Sequence, residues 1–284
     1  MTTTALFAIL SISRTTETET IMGKFDGILL CSDFDQTMGV GGVVTPDNCK
    51  AIEYFQQNGG LFTIISGRNP LFLKNHQEGF RVNAPLVGYN GARILDQNTG
   101  EVLHSGGRQD MLALDIAEQL WDTEPTVRRV VMHDRTTNSL TCHREEREGT
   151  VRTIKELRDA CEMPLYNVLC CAQTPEETEA LLYKLRHIAP PCFEIARSWA
   201  TGIEIICMED RKGPAALRLK KMLGARLLVT AGDFENDISM LEMGDISYAV
   251  ENALPHVKTA AKRQTVHYEQ SAIAAIVAEL EREL

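Results

Sequence analysis

The chain of 284 residues carries a formal net charge of −10, and it is long enough for one large domain or two ordinary ones. Its apolar fraction of 44% and charged fraction of 24% are those of a soluble globular protein. Nucleic acids are bound by clustered Lys and Arg, so this acidic balance argues against a nucleic-acid partner. It does not exclude a small phosphorylated substrate, because one lysine or a metal ion can reverse the charge of a pocket.

The eight cysteines contain no C-x-x-C pair, and their scatter indicates small core residues in a reducing cytoplasm rather than a disulfide framework. No apolar stretch reaches the roughly 18 residues of a membrane span, so we expect no membrane partner. The apolar run 5–12 has no basic residue before it, which argues against a signal peptide. We predict that residues 1–21 form a disordered extension, that Met22 is the functional start, and that the protein is cytoplasmic.

Residues 28–31 form a short apolar run that predicts a strand of a parallel sheet covered on both faces. Asp33 and Asp35 follow this strand, and the Thr37 hydroxyl comes two residues later. Ligands of open α/β sheets bind at the carboxyl ends of the strands, which is where this acidic pair falls. An acidic turn would give the same Asp-x-Asp pattern, so the meaning of the pair depends on the rest of the chain.

The next segments supply a hydroxyl at a second strand end. A glycine-rich loop over 38–45 is expected to overhang the first strand end, as a gate or an ordinary connection. Residues 46–57 predict a helix, and residues 61–65 predict a buried strand that ends at Ser66 and Gly67. A hydroxyl beside an exposed N–H suits a phosphoryl oxygen, although Ser-Gly after a strand is more often a turn.

The middle of the chain predicts an inserted α+β domain. Residues 71–78 predict a helix, and residues 85–89 predict a third strand closed by Asn90 and Gly91. Beyond residue 92, strands and helices mix without glycine-ended polar turns. The acidic run 145–148 is interpreted as a solvated face or a helix start. The expected elements are a hairpin (93–95 and 101–103), helices over 110–121, 150–161 and 175–188, and strands over 126–132, 139–142, 165–171 and 192–196.

The last third of the chain predicts a return to the core. A strand is expected over 203–206, after which Lys212 stands at the start of a helix, where its ammonium can meet an anion. A further buried strand is followed by Asp233 and Asp237, whose carboxylates are hard oxygen ligands that suit Mg²⁺. The remaining expected elements are helices over 214–223, 238–243 and 271–283 and strands over 227–230 and 246–250.

The polar groups at these strand ends are of the kinds that phosphoryl transfer requires. Carboxylates, a hydroxyl and an amide follow four predicted strands, and a lysine begins a helix between the last two. In a parallel sheet, the carboxyl ends of the strands lie along one edge. Each signal is weak alone, but together they indicate phosphoryl transfer through an aspartyl-phosphate intermediate.

Four segments resemble the motifs of the haloacid dehalogenase (HAD) superfamily of phosphatases. They are Asp33-Phe34-Asp35-Gln36-Thr37, Ser66-Gly67-Arg68, Lys212-Gly213 and Gly232-Asp233-Phe234-Glu235-Asn236-Asp237. The Asn90-Gly91-Ala92 turn and the long insertion between the second and third motifs resemble the Cof-type branch, with its subclass IIB cap. The resemblance implies an α/β fold, with a Rossmann-like parallel-sheet core over 22–90 and 197–284 and an α+β cap over 91–196.

The resemblance also implies roles for single residues. Asp33 would attack phosphorus, and Asp35 would protonate the leaving alkoxide and then deprotonate the hydrolytic water. Mg²⁺ would be held by the Asp33 carboxylate, the Asp35 backbone carbonyl and Asp233. The residues that would bind phosphate or substrate are Phe34, Ser66, Gly67, Lys212 and Asn236. The supporting residues would be Thr37, Asp237, Arg68 and Asn90. Thr37 would hold its loop and could also hold the Asp35 carboxyl, and Asp237 would join the metal or orient Lys212.

The sequence departs from the family pattern at Gln36, where the family usually has Gly. If the backbone there has a positive φ, Gln would strain it by about 1 kcal/mol or more. The cap is expected to choose the substrate, a small phosphorylated metabolite that is most simply a sugar phosphate. The candidate specificity residues are Arg68, Arg93, His143, Arg144 and Arg197, and the protein could be a monomer or a homodimer.

Other functions compete with hydrolysis. A receiver-like module, phosphorylated on Asp without turnover, uses similar residues, but it is far shorter and lacks the acidic pair at Asp233 and Asp237. A metal-free dehalogenase of the same fold has no need of an acid at Asp35. A phosphotransferase or phosphomutase would keep the same site, and a catalytically silent scaffold remains an alternative because of Gln36.

Overall fold

The computed structural model describes residues 23–40, 43–136, 139–145, 151 and 153–284. The expected disordered extension over 1–21 and the start at Met22 lie outside these residues, as do Gly41, Gly42 and most of the acidic run 145–148. Within the described chain, no helix combines the length and the apolar character needed to cross a membrane.

The described strands and helices alternate along the chain in an α/β pattern. The strands are β1 (Ile28–Ser32), β2 (Gly39–Val40), β3 (Val43–Val44), β4 (Leu61–Ile64), β5 (Leu86–Gly88), β6 (Arg93–Leu95), β7 (Val102–Ser105), β8 (Arg129–Asp134), β9 (Ser139–His143), β10 (Leu165–Cys171), β11 (Phe193–Trp199), β12 (Gly202–Cys207), β13 (Leu227–Gly232), β14 (Ile246–Ala249) and β15 (Arg263–Gln264). The helices are α1 (Pro46–Gln57), α2 (Pro70–Asn75), α3 (Leu112–Thr123), α4 (Ile154–Ala160), α5 (Pro175–Ile188), α6 (Lys212–Leu223), α7 (Ile238–Met243), α8 (Pro255–Ala260) and α9 (Ala272–Glu283).

A five-stranded parallel sheet, here called the core sheet, has the strand order β15-β14-β13-β1-β4. Every residue of β1 is buried, as its apolar run predicts. The chain order reverses on the two sides of β1, because β4 lies on one side and β13 on the other. Such a switch point is where open α/β sheets bind their ligands. The expected Rossmann-like parallel sheet is therefore confirmed.

The third predicted strand is less regular than the others. β5 pairs antiparallel with β6, which pairs with β7, so the expected hairpin is confirmed. An isolated parallel bridge between Ile65 and Val87 links this small sheet to the end of β4, so the third predicted strand lies beside the core sheet without being one of its five strands. Ile94 belongs to the same hydrophobic cluster as Leu29 of β1. The hairpin thus contributes to the core beneath the core sheet, although the expected cap begins at residue 91.

A second five-stranded sheet, here called the cap sheet, is antiparallel and has the order β11-β12-β10-β8-β9. It carries its own hydrophobic cluster, with members from Ala113 to Ile205. The assignment of the strand over 203–206 to the core is wrong, because β12 lies between β10 and β11. An apolar run reports burial but not which sheet provides it. We therefore propose that the chain returns to the core after Cys207.

Helix α1 forms for the reasons that its sequence indicates. Pro46 occupies the first helical turn, and the Thr45 hydroxyl accepts a hydrogen bond from the backbone N–H of Asn48 at 3.3 Å. Its buried residues Ile52 and Phe55 face the core sheet cluster, which also contains residues of α9. The two helices thus cover one face of the sheet that presents the site.

We predict that Leu30→Ala lowers the free energy of unfolding by about 2–5 kcal/mol, because it leaves a cavity beside β1, an interior strand of the core sheet. Leu30 is fully buried in the core cluster. Leu217→Ala on α6 is the control, since Leu217 is 42% exposed and its loss should cost about 0.5 kcal/mol or less. Urea unfolding followed by circular dichroism measures both changes. Equal losses in the two variants would contradict the assigned core.

Candidate active site

The register of the core sheet brings two acidic motifs together. Ser32 lies opposite Ala231 in the β1–β13 pair, and the N–H of Asp33 donates to the carbonyl of Ala231 at 2.9 Å. Asp33 and Asp233 therefore leave the same edge of two adjacent strands. Asp33 is 6% exposed and Asp233 is 3% exposed, so both carboxyl groups are removed from bulk water.

Lys212 reaches this acidic pair from the first residue of α6. Its Nζ donates to Asp33 Oδ1 at 2.6 Å and to Asp237 Oδ1 at 2.7 Å. Burial alone would lower the pKa of this ammonium, but the two carboxylates outweigh burial and raise it. Lys212 is therefore a buried cation that stays charged.

Gly213 explains how the lysine can come so close. Its backbone N–H donates to Ser239 Oγ at 3.1 Å, and a Cβ at this position would lie 2.3 Å from the Ser239 carbonyl oxygen. Only glycine allows α6 to pack this tightly against α7. The close packing brings Lys212 within reach of Asp237.

Asp237 uses its two oxygens differently. Oδ1 accepts from Lys212, and Oδ2 accepts from the backbone N–H groups of Asp233 and Phe234, each at 3.0 Å. The contact with Lys212 agrees with the expected role of Asp237 in orienting that lysine, and its expected role at a metal stays a prediction. The turn that carries Asp233 is held by the same side chain.

Three buried carboxylates face one ammonium at this site. Asp33, Asp233 and Asp237 each offer an oxygen within 4.8 Å of the others. Burial raises the pKa of Asp33 to about 7, with Lys212 opposing that shift. Burial also raises the pKa of Asp233 well above its usual range, and the charges of Asp33 and Asp237 add to the effect. Excess negative charge on hard oxygen ligands fits a bound Mg²⁺.

Thr37 has a different partner from the one expected. Its Oγ1 donates to Asp233 Oδ1 at 2.9 Å, rather than to the carboxyl of Asp35. The expectation that Thr37 holds the Asp35 carboxyl is wrong, because the loop after β1 turns the hydroxyl toward β13. The side chain therefore joins the first and fourth motifs.

Asp35 is paired with Arg68. Arg68 Nε lies 2.5 Å from Asp35 Oδ2, and Arg68 Nη2 lies 2.8 Å from Asp35 Oδ1. Hydrogen bonding to Asp35 is the main cause that raises the pKa of the Arg68 guanidinium. The pair occupies both oxygens of Asp35, so any proton transfer by Asp35 needs this pair to open.

The second motif lies beside the acidic pair. Ser66 follows β4, the neighbour of β1 on the side opposite β13, and its backbone N–H donates to Val87 at 3.1 Å. Its Oγ accepts from the N–H of Arg68 at 3.3 Å, which leaves the hydroxyl proton for another acceptor. A Cβ on Gly67 would lie 2.9 Å from Glu204 Oε1. Gly67 thus lets a carboxylate of the cap sheet approach.

Asn90 and Asn236 form a buried pair. Asn236 Nδ2 donates to Asn90 Oδ1 at 3.0 Å, and Asn90 Nδ2 donates to Glu204 Oε2. Sequence reasoning missed Glu204, whose one signal was a carboxylate within an otherwise apolar strand. Burial raises the pKa of Glu204, against the hydrogen bonds from Ser198 and Asn90.

A cavity of about 560 Å³ opens between the core and the cap sheet. Its core side includes Asp33, Asp35, Ser66, Gly67, Arg68 and Asn236, and its cap side includes Arg129, Val131, His133, Ser139, Thr141, Leu169, Trp199 and Glu204. Of the expected specificity residues, only Arg68 lies in this lining. The guanidinium of Arg197 pairs with Glu235 at 2.6 Å, and that of Arg144 donates to the Val127 carbonyl at 2.6 Å. Basic residues cannot be assigned to a cavity from composition alone.

The profile of the haloacid dehalogenase-like hydrolases matches residues 30–277. The chain belongs to this family. A Haemophilus influenzae protein named "Putative phosphatase" is 27% identical over 91% of this chain and 97% of its own length. A haloacid dehalogenase-like hydrolase from B. subtilis is 21% identical over 89% of this chain and 99% of its own, with a TM-score of 0.76.

A subclass IIB sugar phosphatase of the HAD superfamily has the same fold. It is 19% identical over 88% of this chain and 98% of its own, with a TM-score of 0.71. The HAD resemblance, the α/β fold with a cap and the class of HAD-type hydrolases are therefore confirmed. The roles of the single site residues remain predictions.

Gln36, which stands where the family usually has Gly, has a positive φ. Its φ is 59°, its N–H donates to the Gly39 carbonyl at 2.7 Å, and its own carbonyl accepts from Asn252 Nδ2 at 2.9 Å. The turn is therefore held by one backbone hydrogen bond and one from the Asn252 side chain, at a conformation that favours glycine.

We predict that the free energy of unfolding of Gln36→Gly is about 1 kcal/mol higher than that of Gln36→Ala. Both variants remove the same exposed side chain, but only glycine relieves the left-handed backbone. Urea unfolding of the two purified variants measures the difference. A Gln36→Ala protein as stable as Gln36→Gly would mean that the backbone carries no strain there.

Proposed function

We propose that this protein is a Mg²⁺-dependent phosphatase that hydrolyses a small phosphate monoester through an aspartyl-phosphate on Asp33. The observation that carries the proposal is the buried ion cluster of Asp33, Lys212 and Asp237 beside Asp233, at the switch point of the core sheet. A carboxylate nucleophile needs nearby positive charge when it approaches a phosphate dianion. Lys212 supplies part of that charge.

In the first step, an oxygen of Asp33 attacks phosphorus in line, and the bond from phosphorus to the leaving oxygen breaks. Asp35 donates its proton to that oxygen, so the product leaves as an alcohol. Asp35 must first separate from Arg68, whose guanidinium holds both of its oxygens. Binding of a phosphate dianion gives Arg68 a competing anionic partner.

In the second step, water attacks the phosphorus of the aspartyl-phosphate and releases inorganic phosphate. The Asp35 carboxylate removes a proton from this water, which restores the acid for the next cycle. Asp33 regains its free carboxylate at the same time. The two half-reactions together consume one water and one phosphate monoester.

Phosphoryl oxygens would be bound by the Ser66 hydroxyl, the Gly67 N–H, the Lys212 ammonium and the Asn236 amide. Phe34 can contribute only through its backbone, because its side chain is fully buried in the core cluster. The Asp33 carboxylate, the Asp35 carbonyl and Asp233 would hold Mg²⁺. When bound, the metal offsets negative charge on Asp33 and on the phosphoryl oxygens.

The cavity supports a small, polar substrate. Its volume of about 560 Å³ suits a metabolite rather than a protein surface, and hydroxyl, imidazole and guanidinium groups line its cap side. We therefore propose a sugar phosphate, and the similarity to a sugar phosphatase supports this class. Among the described residues, all eight cysteines are free, which agrees with the proposed reducing cytoplasm.

We predict that Asp33→Asn lowers kcat with Mg²⁺ by about a thousandfold or more, because the amide cannot act as the nucleophile. Hydrolysis of p-nitrophenyl phosphate measures the loss, and circular dichroism checks the fold. Asp47→Asn, on the exposed first turn of α1, is the control with unchanged kcat. Retention of more than a few per cent of the metal-dependent rate would refute the role of Asp33.

We predict that millimolar Mg²⁺ raises the melting temperature by about 4 °C or more near pH 8. The rise should shrink as the pH falls below about 7, because the raised pKa of Asp33 keeps a proton on this ligand and protons compete with the metal. Differential scanning fluorimetry at several pH values measures the effect. Asp233→Asn should remove the rise, and an unchanged rise in that variant would contradict the metal site.

A further inference from the structure

A chain of hydrogen bonds crosses the cap sheet along the wall of the cavity. Ser139 Oγ on β9 lies 2.9 Å from His133 Nε2 on β8, and His133 Nδ1 lies 2.6 Å from Asn167 Oδ1 on β10. Asn167 Nδ2 then donates to Glu204 Oε2 on β12 at 3.0 Å. The chain thus passes through four neighbouring strands and ends at a buried carboxylate, which is only 2% exposed.

Glu204 also binds the core. Asn90 Nδ2 donates to Glu204 Oε2, and Asn236 Nδ2 donates to Asn90 Oδ1 at 3.0 Å. The other oxygen, Glu204 Oε1, accepts from Ser198 Oγ at 2.7 Å. The carboxylate therefore accepts from Asn167 and Ser198 of the cap sheet and from Asn90 in the turn after β5, so it lies where the cap sheet meets that turn.

The carboxylate sets the direction of every bond in this chain, because it can only accept. Asn167 and Asn90 must turn their Nδ2 groups toward it, which leaves the Oδ1 of Asn90 facing Asn236. Burial lowers the pKa of His133, so the neutral ring donates from Nδ1 and accepts from Ser139 at Nε2. Asn236 in turn directs its Nδ2 group at Asn90, and the second N–H of that group is available to a ligand.

We propose that Glu204 is a positioning residue that fixes the amide of Asn236 through Asn90, so that the phosphoryl site is complete only when the cap sheet is docked on the core. This inference rests on the proposed function, in which Asn236 binds a phosphoryl oxygen. The bare backbone of Gly67 supports it, because a Cβ there would lie 2.9 Å from Glu204 Oε1 and push the carboxylate away.

A residue that positions Asn236 can be distinguished from one that contacts the organic part of the substrate by the set of substrates that its substitution affects. If Asn236 is no longer positioned, kcat/KM falls by the same factor for every phosphate monoester, since all share the phosphoryl group. Loss of a contact to the sugar would affect a hexose phosphate and spare p-nitrophenyl phosphate. The two substrates together separate these roles.

The test is Glu204→Gln, which keeps the shape but presents an NH₂ group to at least one of the donors around it. We expect kcat/KM with Mg²⁺ to fall by roughly tenfold or more for both substrates, because a displaced phosphate ligand misplaces the reacting group. The affinity for inorganic phosphate, measured by calorimetry with Mg²⁺, should fall by a similar factor. Asn90→Gly removes the amide and suits the φ of 61° at this residue. It should give the same loss, and the double variant of Glu204 and Asn90 should lose no more.

Asp134→Asn is the matched control. Asp134 is a fully buried cap carboxylate that accepts from Thr136 and from the N–H of Glu162, and its loss should lower the melting temperature without changing kcat/KM. The proposal is overturned if Glu204→Gln stays within about twofold of the wild type, if only the hexose phosphate is affected, or if the losses in Glu204→Gln and Asn90→Gly add. A wild-type protein that neither turns over either substrate nor binds phosphate would instead overturn the proposed function.

Discussion

The site depends on one buried ammonium that bridges two carboxylates. Lys212 is 1% exposed and binds Asp33 and Asp237 at once. Removing one member of such a cluster would leave the others charged and uncompensated in a dry environment, which typically costs about 3–5 kcal/mol. The close packing at Gly213 and the register of β1 against β13 both serve to hold this cluster together.

Much of the core half of the site could be predicted from the sequence, because each motif directly follows a strand or begins a helix. Apolar runs locate the strands, and the topology of a parallel sheet brings their carboxyl ends to one edge. The position of Lys212 near Asp33 therefore follows from local signals. The side-chain partners of Thr37 and Arg68 do not, since they depend on how two loops turn toward each other.

The cap half was harder to predict for a physical reason. β12 has the apolar pattern of a core strand, and nothing within it states that its neighbours are β10 and β11. The apolar pattern therefore predicts that Glu204 lies in the core, whereas the structure has it in the cap sheet. Of the expected specificity residues, Arg68 lines the cavity but Arg197 does not. The guanidinium of Arg197 is paired with Glu235 instead, and the sequence alone does not reveal that ion pair.

The pairing of β1 with β13 joins residues 28–32 to residues 227–231, on either side of the whole insertion. During synthesis on the ribosome, Asp33 emerges about 180 residues before its lysine, so the nascent protein carries this carboxylate in water long before burial is feasible. The five described strands of the cap sheet pair with one another and not with the strands of the core sheet, so the cap can fold in that interval. Translation order thus favours a finished cap before a working catalytic centre.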